Sequence, residues 1–428
     1  MTNLRSRLCY LRWLYDLLVR AYGLLIAVFA VFGHPKAQLF VTGRRRWLHK
    51  LPQTNQKVIW IHCASLGEYE QAVPLMECLR QAFPELFIAV TFFSPSGYEA
   101  RKNNTLPNWV GYLPMDTPQN ARDFIQKLSP IAAILVKYEL WYHFLDTCHS
   151  KAVPLFLVGG RIHEKYWGLT WGKIWFKHLI GFFHRIYTLD ETSAALFAQL
   201  IPQERILHTG DTRYDRVAAT KHLRKPIDKI VAFVDNKPVI IAGSVWEKDI
   251  TLLIRASEKL AHLSWKMIWV PHEPTTKTVN AILNMTKGIS LTELEATENI
   301  PTGTRDLVID RVGLLSSVYS LAWVSWVGGA FGSGLHNILE PLSLAVPTAF
   351  GNKIDKFPEA QEAVAAGIAH SCQTPAEFVE FAAPILTSEP MLNQYRKKIQ
   401  GFMKKHEGAT SNIWCDLYPK IAAAYSKK

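Results

Sequence analysis

Apolar and polar positions alternate between two periods along most of the chain. Val58-Ile59-Trp60-Ile61 is a short apolar run with the β-branched and aromatic content of a buried strand, and Glu70–Phe83 follows with helical spacing. Strand signals recur at Leu86–Phe93, Trp109–Leu113, Ile131–Val136, Pro154–Val158 and Arg185–Leu189, with helical patterns between them. Val217–Lys237 is polar and charge-rich with little periodicity, and it reads as a linker. A second series then runs through Pro238–Ala242, Lys266–Val270, Leu307–Ile309, Ala322–Val327 and Pro347–Phe350. Strand–helix alternation implies parallel sheets covered on both faces, hence two doubly wound α/β domains. The ranges that follow are an anchor and basic connector (1–50), a first domain (51–222), a linker (223–237) and a second domain (238–428). In such folds ligands sit off the carboxyl ends of the strands, here expected in a cleft between the domains.

The N-terminus breaks this pattern. Ala21–Phe32 is uncharged, but twelve helical residues rise only about 18 Å, short of the ~30 Å hydrocarbon core. Extending the helix back to Leu8 gives enough length and takes in Arg12, Asp16 and Arg20. Arg5, Arg7, Arg12, Arg20 and Arg44-Arg45-Arg46 flank the run, as expected of a helix in or on an anionic membrane face. The alternative is a helix buried in the protein core. Absence of an A-x-A-like site argues against a cleaved signal peptide.

Composition narrows the partners. The 428 residues are 49% apolar and 20% charged, as in an ordered protein, with net charge +12 and pI about 9.3. Acidic partners are therefore expected. Dispersed rather than clustered Lys and Arg argue against nucleic acid. Six cysteines without C-x-x-C spacing fit a reducing compartment and neither a zinc site nor a disulfide framework. His272-Glu273 lacks the second His of H-E-x-x-H, so no metal is expected. Trp167, Trp171 and Trp175, continued by Leu179 and Phe182, form a stripe that reads as a core-facing helix or an aromatic membrane contact.

The candidate chemistry lies where strands end. In the first half these ends read Ser65-Leu66-Gly67-Glu68, Ser94-Pro95-Ser96-Gly97, Lys137-Tyr138-Glu139-Leu140-Trp141, Gly159-Gly160-Arg161 and Gly210-Asp211-Thr212-Arg213-Tyr214-Asp215. In the second they read Gly243-Ser244-Val245-Trp246-Glu247, Pro271-His272-Glu273-Pro274 and Asp310-Arg311-Val312-Gly313. The richest is Trp323–Pro341, a strand followed by Gly328, Gly329, Gly332 and Gly334 and then His336, Asn337 and Glu340. A strand, a glycine turn and a helix start form an anion cradle, or else simply a tight capped turn. The spacing is not the dinucleotide G-x-G-x-x-G.

Read in order, these segments resemble the Kdo transferases, lipid A-specific 3-deoxy-D-manno-octulosonic acid transferases of the GT-B glycosyltransferase fold. The matches are H-C-A-S-L-G-E at 62–68, F-S-P-S-G at 93–97, E-L-W at 139–141, G-D-T-R-Y-D at 210–215, G-S-V-W-E at 243–247, V-G-G-A-F-G-S-G-L-H-N-I-L-E at 327–340 and F-G-N-K-I-D-K-F at 350–357. The resemblance implies metal-independent, inverting transfer of Kdo from CMP-Kdo to the 6′-hydroxyl of a lipid A precursor. It places the enzyme on the cytoplasmic face of the inner membrane, in lipopolysaccharide core biosynthesis.

By the same resemblance Glu68 is the proton acceptor. Read alone, it is also a helix N-terminal carboxylate favouring the dipole. Arg213 falls on the lysine of a G-x-x-K-[FY]-D pattern, a position implicated in transition-state stabilisation. Lys137 falls on the first acid of E-T-E-L-W-P-N and reverses its charge, with Tyr142-His143 in place of Pro-Asn. CMP would be taken by Pro271, His272, Val312, Gly313, Leu314, Asn337, Ile338, Leu339 and Glu340. His272 stands where the family's V-P-R-H-P-E has an arginine. The alternatives are a nucleotide-sugar epimerase-like enzyme or a GT-B transferase with another donor.

Overall fold

A computed structural model describes residues 2–162, 170–221, 226–298, 300, 303–332 and 334–426. The chain divides into two compact units, residues 1–216 with 407–428, and residues 217–406.

The first unit is built on seven parallel strands, β1 (Val58–Cys63), β2 (Phe87–Phe92), β3 (Trp109–Tyr112), β4 (Pro130–Val136), β5 (Leu155–Gly160), β6 (Arg185–Thr188) and β7 (Ile206–His208), in the order β3-β2-β1-β4-β5-β6-β7. Side chains of a strand alternate between faces, so each strand serves two cores. Val58 and Trp60 of β1 with Ala133 and Leu135 of β4 pack on one side, and Ile59, Ile61, Ile134 and Val136 on the other. Chain order reverses at β1/β4, and helix Leu66–Ala82 starts beside that switch point. The helix begins at Leu66 rather than Glu70, which puts Glu68 in its first turn and not in a loop.

The second unit repeats the plan with β8 (Val239–Val245), β9 (Lys266–Pro271), β10 (Ile289–Ser290), β11 (Asp306–Val308), β12 (Val324–Val327), β13 (Thr348–Gly351) and β14 (Ala369–Cys372), in the order β10-β11-β9-β8-β12-β13-β14. Ile240, Ala242, Met267, Trp269, Val324 and Trp326 share one core.

Three expectations change. Within the expected linker, Asp228–Val234 is a helix that buries Ile230 and Phe233 in the second unit. The C-terminal helix Ala409–Ser426 belongs to the first unit, not the second, because Ile413, Leu417 and Ile421 are fully buried against the β1/β4 core. Asp215 receives the N–H groups of Gly408 and Thr410, and Arg185 pairs with Asp416 at 2.8 Å. Third, Arg44 is no membrane-facing charge. It is 8% exposed, lies 3.6 Å from the Phe40 ring centre, and donates to the carbonyls of Leu113 and Phe93 at 2.8 and 2.7 Å. Burial lowers its pKa to about 9.

The N-terminal helix runs from Thr2 to Val31, and its Ser6–Val31 stretch is long and apolar enough to cross a membrane. It is not a core helix, since Leu17, Leu18, Leu24, Leu25, Val28 and Phe29 are all exposed. Its central polar residues face the protein instead. Asp16 bonds His143 at 2.5 Å, Tyr15 donates to Asp116, and Arg12 lies over the Tyr142 ring. Of the tryptophan stripe, Trp167 lies outside the described residues. Trp175 packs against the first unit's core, and Leu179 and Phe182 are buried.

Because the last helix completes the first unit's core, Leu417→Ala should destabilise that unit by about 2–5 kcal/mol. Urea unfolding followed by an N-unit probe measures this; an unchanged midpoint would refute the assignment of that helix to this core.

Candidate functional site

The loop after β1 and the first turn of the next helix form a capping box, with Ser65 at the N-cap and Glu68 three residues on. The Glu68 carboxylate accepts from the backbone N–H groups of Ala64 and Ser65, both through Oε2. Those bonds hold the side chain where it is only 8% exposed. Burial raises its pKa to about 7, and the neighbouring Glu139 adds to the rise. Lys137 and the two N–H groups oppose it. A carboxyl poised near neutrality is suited to take up a proton.

Glu139 and His62 appeared in the sequence only as motif members, and the structure joins them. His62 is fully buried, with Nε2 2.9 Å from Glu139 Oε2 and Nδ1 2.8 Å from Thr91 Oγ1. Trp141 Nε1 donates to the same Glu139 oxygen at 2.5 Å. The H-C-A-S and E-L-W segments carried this signal, but only the pairing of β1 with β4 sets them side by side.

Lys137 occupies the turn leaving β4 with φ +63°, the left-handed region that lysine rarely adopts, and its N–H bonds Val158 O at 2.8 Å. Its charge reaches Glu68. Arg213 lies near the same helix, since Gln71 one turn beyond Glu68 bonds Asp211 at 2.9 Å and Thr212 Oγ1 bonds Gln71 O at 2.6 Å. Its guanidinium, however, is engaged by Asp211 through Nε at 2.9 Å and Nη2 at 2.7 Å. The pair holds the Asp211 carboxyl down at about 2, against the effect of its burial.

In the second unit the expected nucleotide residues gather on the carboxyl side of the sheet. Glu340 accepts from Ser316 Oγ at 2.6 Å, which ties the segment after β11 to the one after β12, and from Asn337 Nδ2 at 3.3 Å. Pro271 ends β9 and His272 follows it. His272 stacks between Trp246 and His336 with ring centres 4.6 and 4.3 Å apart. Trp246 Nε1 donates to His336 Nε2 at 3.0 Å, so the imidazole proton sits on Nδ1. Burial lowers the pKa of both histidines, His336 to about 4, so the stack is neutral where the family's arginine would carry charge.

Val312 is 79% exposed, and Gly313 has φ +94° with open space around it, so this loop presents backbone. Leu314 caps a four-residue helical turn. The side chains of Ile338 and Leu339 are core, and the Leu339 N–H is taken by Asn337 Oδ1 at 3.1 Å. Gly328 and Gly329 also serve packing. A Cβ on Gly328 would lie 2.3 Å from Ser244 O, and one on Gly329 2.2 Å from Gly334 O. Of the turn's four glycines, only Gly332 has nothing within 4 Å of such a Cβ among the described residues. Among the described residues no group of three His, Cys, Asp or Glu side chains is placed to hold a metal ion.

Residues 41–216 match the model of the 3-deoxy-D-manno-octulosonic-acid transferase (kdotransferase) family. The chain is 28% identical over 310 residues to the 3-deoxy-D-manno-octulosonic acid transferase of Haemophilus influenzae, covering 70% of this chain and 72% of that protein. It is 26% identical over 378 residues to the Chlamydia trachomatis enzyme of the same name, covering 85% and 86%. Its fold resembles the crystal structure of UDP-GlcNAc 2-epimerase from Neisseria meningitidis (TM-score 0.55, 14% identity, 83% of this chain and 95% of that one). At that identity the likeness is one of fold alone.

The Asp211–Arg213 pair makes a prediction of its own. With its pKa depressed, Asp211 contributes stability that is present above the ordinary carboxylate range and lost as pH falls toward about 2. Asp211→Asn should cost about 1–3 kcal/mol near neutrality and flatten the acid side of the stability–pH curve. Denaturation across pH 2–7 checks this, and an unchanged curve would show the pair to be idle.

Proposed function

We propose that this chain moves Kdo from CMP-Kdo to the 6′-hydroxyl of a lipid A precursor, a reading supported by its match to the Kdo transferase family model over residues 41–216, its likeness to named Kdo transferases and its two parallel-sheet α/β units. The acceptor oxygen attacks the anomeric carbon of Kdo as the bond to the CMP phosphate breaks, inverting that centre. The hydroxyl proton passes to Glu68, and CMP leaves with the bonding electrons. The observation that carries this reading is Glu68 itself, a buried carboxyl raised to about 7 in the first turn of a helix at the sheet's switch point. An alcohol is a poor nucleophile until its proton is withdrawn, and a base matched to the working pH does so best.

Lys137 would act near the reacting phosphate or an acceptor anion, and its charge at Glu68 supports that placement. Arg213 reads as a cation preset by Asp211 to meet charge on the departing nucleotide. CMP itself falls to Pro271, His272, Val312–Leu314 and Asn337–Glu340. Held by Ser316 and Asn337, the Glu340 carboxylate is preset to accept from ribose hydroxyls. With a neutral histidine stack in place of an arginine clamp, phosphate recognition shifts to backbone N–H groups. We read the transfer as metal-independent.

The membrane side of the proposal rests on the N-terminal helix, with its exposed apolar face and the exposed Arg45 and Arg46 beyond it. On this reading the protein works at the cytoplasmic face of the inner membrane, against anionic lipid.

Release of CMP from CMP-Kdo in the presence of a lipid A precursor tests the reaction. Glu68→Gln should lower the rate roughly 10²–10⁴-fold while CMP binding stays near normal. In the wild type kcat/KM should rise with pH through about 7, as Glu68 loses its proton. A Glu68→Gln enzyme at full rate would remove the mechanism, and a wild type that binds CMP but never releases it from CMP-Kdo would remove the donor. Deleting residues 1–35 should abolish flotation with vesicles containing anionic lipid; full flotation of the truncated protein would refute the anchor.

A further inference from the structure

We infer that Glu139, gripped by His62 and Trp141, is the positioning residue that sets how tightly Glu68 holds its proton; the inference rests on Glu68 being the base. Glu139 is 7% exposed, and carboxylates are seldom so buried without a purpose or a partner. Its recorded bonds, from His62 Nε2 at 2.9 Å and Trp141 Nε1 at 2.5 Å, both fall on Oε2. Each partner is itself fixed. Trp60 Nε1 donates to Thr91 Oγ1 at 2.8 Å, and that hydroxyl lies 2.8 Å from His62 Nδ1. A hydrogen-bonded chain follows, Trp60 to Thr91 to His62 to Glu139, in which His62 Nδ1 also lies 3.1 Å from the Thr91 carbonyl oxygen. On the other side Trp141 stacks on Phe93 at 4.7 Å, and the Phe93 carbonyl is held by buried Arg44.

This chain runs through β1 two residues before Ala64, whose N–H grips Glu68. The two carboxyls thus belong to neighbouring strand ends held to one another by a buried hydrogen-bond chain. His62 Nε2 and Trp141 Nε1 thus meet one and the same oxygen of Glu139, whose charge reaches Glu68. A fixed negative charge there makes ionisation of Glu68 harder and the resulting base stronger. The other groups around Glu68 pull the opposite way or are silent. Lys137 and the Ala64 and Ser65 N–H groups favour its ionised form. The Cys63 thiol stays protonated, pushed up by burial and by the Glu68, Glu139 and Glu70 carboxylates. Glu70, on the same helix, is paired with Arg101 at 2.7 Å and faces Arg216. Glu139 is therefore the charge that opposes Lys137 at this site.

The test is the acid limb of kcat/KM against pH. Glu139→Gln keeps the shape and removes the charge, so the limb should move about 1 pH unit lower, with a lower plateau because the base is weaker. Glu70→Gln should leave the limb where it is. A merely structural Glu139 would lower the rate without moving the midpoint. If Glu139→Gln turns over too slowly to profile, 13C NMR of protein labelled at the glutamate carboxyl reads Glu68 directly, its line identified by loss in Glu68→Gln. A Glu68 midpoint unmoved in Glu139→Gln by either readout overturns the inference. Full activity of Glu68→Gln overturns instead the assignment of the base on which it rests.

Discussion

Keeping a carboxyl both buried and held is the constraint on which this site depends. Burial alone pushes Glu68 toward the neutral acid, and a neutral acid cannot accept a proton. The N–H groups of Ala64 and Ser65 compensate, because the capping box spends them on the carboxylate rather than on water. Opposed effects of this kind leave the group near neutrality instead of locked in either state. That balance requires the helix to begin at Leu66, one residue after the β1 loop turns, and so depends on the pairing of β1 with β4 at the switch point.

The second unit solves a different problem with similar parts. Its glycine turn looks like a cradle for a ligand, yet Gly328 and Gly329 are required by the protein's own backbone, which passes too close to admit a Cβ. The polar ends are likewise spoken for. Asp249 accepts from the N–H groups of Trp246 and Gly329 and from Trp326 Nε1 at 3.1 Å, pinning the ends of β8 and β12 together. What remains for a ligand is a rigid rim, with Glu340, the exposed Val312–Gly313 backbone and a neutral aromatic stack. Rigidity of this kind lowers the entropy lost on binding.

Most of the architecture was legible because buried parallel strands must be apolar throughout, and runs such as Val58–Ile61 and Lys266–Val270 announce themselves. Short edge strands were not. Ile206–His208, Ile289–Ser290 and Ala369–Cys372 are two to four residues long and carry too few apolar positions to show a period. The C-terminal helix was assigned by sequence neighbourhood, whereas its place is fixed by an apolar face at Ile413, Leu417 and Ile421 that finds the other unit's core. At the site, Glu68 could be named from its loop and the family pattern. That His62 reaches Glu139, and that Asp211 occupies Arg213, depends on contacts across 77 and 2 residues whose geometry no spacing encodes.

Arg44 shows the same limit from the other side, and leads to the part of the unit that meets the N-terminal helix. Three consecutive arginines beside an apolar run read as one cationic patch, but the first is spent on carbonyls and aromatic faces inside the unit. Through Phe93 that arginine touches both ends of a larger assembly. Phe93 stacks on Tyr22 of the N-terminal helix and on Trp141, which holds Glu139. Two residues further along, His143 grips Asp16 of the same helix. The segment 137–143 thus faces Glu68 on one side and the N-terminal helix on the other. On the proposed function the acceptor arrives in a bilayer, and a base tethered to its anchor by a loose linker would meet that acceptor at variable depth. Packed rings and the Asp16–His143 hydrogen bond fix the depth instead, which is the condition for presenting an acceptor hydroxyl repeatedly in one geometry.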